Sequence, residues 1–65
     1  MGKQQTVYDA ALLRIAEQEE RIARQERLVA RLRSTGRSAK QAEDLLDLMR
    51  TTLGTLHASL PHFPN

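Results

Sequence analysis

The segment SAKQAEDLLDLMRTTLGTLHASL, residues Ser38 to Leu60, decides the fold. Its apolar residues fall at Ala39, Ala42, Leu46, Met49, Leu53, Leu56 and Leu60, in steps that alternate three and four. That spacing is a heptad a/d seam, which predicts an amphipathic helix over about residues 39–59. One side of such a helix needs a partner, because an isolated amphipathic helix of this length is marginal in water.

The upstream chain supplies the partner. From Val7 to Arg33 no Gly or Pro occurs, and Ala, Leu, Arg, Glu and Gln dominate. These residues are strong helix formers, so a first helix of about 40 Å is expected over residues 7–33. Thr6 and Asp9 are the candidate N-caps. The seam of this helix has Tyr8, Ile15, Ile22 and Val29 at a, and Ala11, Gln18, Gln25 and Leu32 at d. Two glutamines at d can hold register by hydrogen bonding across the core. The simpler expectation is a thin seam with both amides at its edge, in partial contact with water. On the polar face, Glu17 with Arg21 and Glu20 with Arg24 have the spacing of i,i+4 ion pairs, each worth about 0.2–0.5 kcal/mol.

A stop and a start signal separate the two helices. Gly36 suits a left-handed helix C-terminus, and Arg31 and Arg33 sit well in the last turn. Ser38 and Gln41 have the spacing of a capping box. The turn therefore covers residues 34–38 and makes a tight helical hairpin. The expected register faces Leu32 with Ala39, Val29 with Ala42, Gln25 with Leu46, Ile22 with Met49, Gln18 with Leu53, and Tyr8 with Phe63. Gly54 falls inside the second helix, where it costs about 1 kcal/mol relative to Ala. Either another backbone approaches it closely or the cost is tolerated. Pro61 ends the helix, leaving an extended tail over 60–65 with Phe63 as an apolar plug. The fold class is all-α: a two-helix antiparallel hairpin of coiled-coil type.

The 65 residues make a single small domain. Seventeen large apolar side chains, not counting Met1, make a lone chain marginal, and with no Cys there is no disulfide to support it. Oligomerisation is the remaining support. Leu13, Leu28, Leu45 and Leu48 lie off the a/d positions, so one hairpin leaves them wet. They are the candidate dimer or partner interface, and a homodimer forming a four-helix bundle is expected.

The chemistry of known sites is missing from the sequence. His57 and His62 lie five apart across a helix end, not at the i,i+4 spacing of a metal pair, so no metal or other cofactor is expected. Glu43, Asp44 and Asp47 cluster where a helix N-terminus favours acids, with no cleft to shift their pKa values. The expectation is a protein that is not an enzyme. No apolar run reaches the length of a membrane span and no signal peptide is visible, so a cytoplasmic protein is the default. Met1-Gly2 followed by Thr6 fits the loose myristoylation pattern, which is common by chance.

Charge is uneven. Arg27, Arg31, Arg33, Arg37 and Lys40 form a basic turn without an acid, while the rest carries five cations and eight acids. Five phosphate contacts would give salt-sensitive nucleic-acid binding, which makes an RNA- or DNA-binding regulator the alternative reading. The solvated-face account is that Arg31 and Arg33 serve the helix dipole and Arg27 pairs with an acid. With one Tyr, one Phe and no Trp, base-stacking platforms are nearly missing.

The residues Arg21-Ile22-x-x-Gln25-x-x-Leu28-Val29-x-x-Leu32, Gly36, and Ala42-x-x-Leu45-Leu46-x-x-Met49 resemble short uncharacterised bacterial helical-hairpin proteins. That resemblance covers about residues 15–60 and implies a bacterial cytoplasmic setting, with no function attached. In architecture alone the chain also resembles the helical-hairpin dimers that bind RNA and regulate plasmid copy number, and such an analogy does not carry function. The leading expectation is a small interaction protein that self-associates and docks onto an unidentified protein partner.

Overall fold

The computed structural model describes residues 3–60. Two helices, α1 (Lys3–Ser34) and α2 (Lys40–Ala58), pack against each other, and the described residues contain no strand. They form a rod of 52 × 17 × 15 Å. No helix among them is long and apolar enough to cross a membrane.

α1 begins four residues before the expected start. Thr6 and Asp9 therefore stand inside the helix and do not cap it. The reason is propensity: Lys3, Gln4 and Gln5 are good helix formers, and nothing in the segment breaks the ladder. The expected Tyr8–Phe63 contact, the Phe63 plug and His62 lie outside the described residues.

The turn is a Schellman motif. Gly36 has φ of 72°, the Gly36 N–H donates to the Arg33 carbonyl at 3.1 Å, and the Arg37 N–H to the Leu32 carbonyl at 2.9 Å. The Ser34 and Thr35 hydroxyls donate to the Arg31 carbonyl, and Thr35 also to that of Leu32. Carbonyls that the helix end would orphan are thereby satisfied.

α2 starts differently from the expected capping box. Its first helical hydrogen bond runs from the Glu43 N–H to the Ala39 carbonyl, so Ala39 is the N-cap and makes no side-chain cap bond. The Ser38 hydroxyl accepts a long 3.5 Å bond from the Lys40 N–H, and Gln41 does not close the box. Burial explains the shift. The Ala39 methyl is in the core, which draws the chain inward one residue past Ser38.

The core consists of Ile22, Val29, Ala39 and Leu46, with Leu32, Ala42, Met49 and Leu53 packed against it. These are seam positions of both helices, as the heptads require. Ile15 is buried beyond the Gln18 layer. The core is thin: among the described residues no large side chain is completely enclosed.

The glutamines are not at the edge. Gln18 is 7 % exposed and Gln25 is 9 % exposed. Gln18 Nε2 donates to the Met49 carbonyl at 3.0 Å, and Gln25 Nε2 donates to the Ala42 carbonyl at 2.9 Å. Inside α2 those two oxygens are the i−4 acceptors of Leu53 and Leu46. The acceptors lie four residues before Leu53 and Leu46, which the expected register set opposite these amides. The thin-edge expectation fails because a flexible amide reaches a second lone pair on a helix carbonyl and is satisfied where it is. No buried side-chain nitrogen or oxygen among the described residues lacks a partner. Moving along α1 from 18 to 25, the partners on α2 fall from 49 to 42.

Candidate interaction surface

The outer surface of the rod divides by helical phase, at about 100° per residue. On one long side, ion pairs join the helices. Glu26 pairs with Arg50 at 3.0 Å, and Arg33 pairs with Glu43. Arg50 also lies 3.9 Å from Asp47. These groups border an open groove floored by Val29 and Leu46. Sequence reasoning missed both cross-helix pairs. The four residues flank the two seams, but which of them meet depends on the tertiary register.

The other long side is apolar. Leu28 on α1 and Leu45 on α2 lie on the seam flanks opposite the ion pairs, and Leu48 lies further round α2. Leu45 is 45 % exposed and Leu48 is 61 % exposed, while Leu28 is half-buried. Leu28 and Leu32 line a shallow groove bordered by Arg31 and Arg37. Leu13 on α1 is 62 % exposed. Leu12 and Val7 are also exposed, and the a/d count passed over them.

Two of the five cations of the expected basic turn stand in ion pairs. Arg33 is paired with Glu43, and Lys40 is held by Asp44 at 2.9 Å. The Asp44 hydrogen bond and charge raise the Lys40 pKa above its ordinary value. These exposed pairs are screened and add little stability, but they neutralise two of the five charges. Among the described residues Arg27, Arg31 and Arg37 form no ion pair. Arg27 and Arg31 line a groove on α1 together with Arg24, which pairs with Glu20 at 3.2 Å. The Glu17–Arg21 pair does not close among the described residues.

No group of three or more His, Cys, Asp or Glu side chains that could hold a metal ion occurs among the described residues. The acids of α2 are outward and engaged: Glu43 with Arg33, Asp44 with Lys40, and Asp47 beside Arg50. The arrangement offers two kinds of contact, an apolar strip along one side and a guanidinium groove behind it on α1. No protein-family model, no curated protein and no solved structure matches the chain.

Proposed function

We propose that this chain is a non-enzymatic interaction module. In this reading it is an antiparallel helical hairpin that pairs with a second copy into a four-helix bundle and acts through protein–protein contacts, in a cytoplasmic setting. The opposite run of the paired positions supports the antiparallel hairpin. The observation that carries self-association is the exposure of Leu45 and Leu48 beside a core with no completely enclosed large side chain. Fully covering a leucine contributes about 1.5–3 kcal/mol, a large share of what a domain this small commands.

Sedimentation equilibrium and thermal melts over a hundredfold range of concentration test the reading. The expected result is a dimer whose melting temperature rises with concentration. Leu45→Lys with Leu48→Lys should dissociate and largely unfold it. A helical monomer at micromolar concentration, melting at one temperature at every dilution, overturns the proposal.

The groove of Arg24, Arg27 and Arg31 supports a second reading, nucleic-acid binding through the phosphate backbone. It requires affinity that falls linearly on a log–log plot against salt, at about 0.7–0.9 per phosphate contacted. Because Arg33 and Lys40 are already paired, the expected outcome is no mobility shift near physiological salt at micromolar protein.

A further inference from the structure

Two exposed leucines do not by themselves define an interface, and the rest of α2 extends them into one. We infer that the second copy seats along α2, on a second heptad seam made by Leu45, Leu48, Thr52 and Thr55 with Ser59 at the C-cap, so that α2 of one chain lies against α2 of the other. This rests on the self-association reading above.

Spacing defines the seam. Positions 45, 48, 52, 55 and 59 step by three and four, as the inner seam does, and all five residues are exposed. At about 100° per residue they fall within an arc of about 80°, centred about 110° round α2 from the seam that meets α1. Two seams set at roughly a right angle let one helix pack against two neighbours, as each helix of a four-helix bundle does. The heptad period of the second seam matches it to another helix.

Its chemistry suits burial. No charged residue of α2 lies in the arc. Thr52 Oγ1 donates to the Leu48 carbonyl at 3.0 Å, Thr55 Oγ1 to the Thr51 carbonyl at 3.2 Å, and Ser59 Oγ to the Thr55 carbonyl at 2.8 Å. Each hydroxyl proton is committed within its own helix, so covering this face strands no donor and buries leucine side chains and threonine methyls. α1 offers nothing equivalent. Within about 60° of Leu28 on that helix stand Arg14, Glu17, Arg21, Arg24 and Arg31. Desolvating these five charges would cost more than one half-buried leucine returns.

The occupant follows from what the fold lacks. The chain has no Cys, and among the described residues no large side chain is completely enclosed and no cluster could hold a metal ion. Support must come from a partner present whenever the chain is, and a second copy meets that condition. An uncharged seam meets its own copy without like-charge conflict, and a two-fold contact uses one patch on both chains. The chain exposes 5342 Å², about 1100 Å² more than the roughly 4200 Å² of a compact monomer of 7.4 kDa. That excess is comparable to the roughly 800 Å² each partner gives to an interface of standard size.

Adjacent threonines test the seam. Thr51 and Thr52 are both exposed and both donate to the carbonyl four residues back, but Thr51 lies about 80° from the centre of the seam. Sedimentation equilibrium should show at least tenfold weaker self-association for Thr52→Lys, and a change within about twofold for Thr51→Lys and for Leu13→Lys on α1. The double variant Thr52→Leu with Thr55→Leu fills the seam and should associate at least tenfold more tightly, while Thr51→Leu, with the same gain in helix propensity, should not. The leucine variants still report if a lysine variant fails to fold. Equal effects at 51 and 52, or a dimer weakened by Leu13→Lys and indifferent to Thr52→Lys, overturn the seam while leaving self-association intact. A wild-type monomer removes the self-association reading itself.

Discussion

Replacing both seam glutamines with leucine should raise thermal stability while loosening the register. Gln18 and Gln25 each donate one hydrogen bond to a carbonyl of α2. Each acceptor keeps its own helical N–H, so Gln18→Leu and Gln25→Leu leave no orphaned oxygen behind. The loss per site is therefore the net worth of a hydrogen bond, about 0.5–1.5 kcal/mol. The gain is the burial of a leucine where the side chain is already nine-tenths or more covered, about 1.5–3 kcal/mol. The difference is about 1 kcal/mol per site and about 2 kcal/mol for the pair. A domain of 60–100 residues moves about 4–8 °C per kcal/mol, which puts the double variant about 8–16 °C higher. The measurement is a circular-dichroism melt at fixed protein concentration, with Gln25→Ala as the control that loses both the bond and the volume and should melt lower. The second expectation is a broader distribution of species in sedimentation velocity, because an uninterrupted apolar seam can slide by a turn and recruit further helices. A melting temperature that falls in the double variant refutes the energetic reasoning, and a sharper single species refutes the argument about register.

Three further substitutions probe the turn, the second helix and the core. Gly36→Ala should destabilise by about 1–2 kcal/mol: φ is 72° there and an added Cβ would meet nothing within 4 Å, so the cost is purely backbone. An unchanged melt would show that the turn relaxes out of the left-handed region. Gly54→Ala should stabilise by about 1 kcal/mol, since the site is helical and open. A loss that grows with protein concentration would instead mean that another chain's backbone sits against Gly54. Leu46→Ala removes the most central side chain of α2 and should cost about 2–5 kcal/mol, enough to abolish the cooperative melt. A cooperative melt within a few degrees of the parent would show that this core does not hold the helices together.

What was legible in the sequence is what short-range rules decide. The 3,4 spacing marked Ala39, Leu46 and the half-buried Ala42, Met49, Leu53 and Leu56 as the inner face of α2. Gly36 announced a left-handed stop, and the Schellman bonds follow from it. The start of α1 was misread because a good cap residue is not needed where the preceding residues are equally good helix formers. Ser38 was misread as the cap because capping statistics do not include the pull of a buried methyl next door. The glutamines were misread toward water because a d position was judged by polarity, without a specific acceptor in view. The candidate surface was legible to the same degree. Leu28, Leu45 and Leu48 stood out as surplus to the seam. Leu13 stood out with them and is exposed as well. The cross-helix ion pairs such as Glu26–Arg50 were not legible, because they depend on the tertiary register.

The same distinction bears on where specificity resides in this chain. Its inner face spends two of its seam positions on amides that are fully satisfied within the hairpin, so the inside determines register and leaves little apolar surface to spare. Its outer face sorts by side: paired charges along one flank and leucines along the other, with three arginines on α1 beyond the leucines. With so thin a core, burying Leu45 and Leu48 against a partner, as proposed, would add to the stability of the fold itself. If the chain pairs as proposed, substitutions at Leu45 and Leu48 should therefore change stability and assembly together.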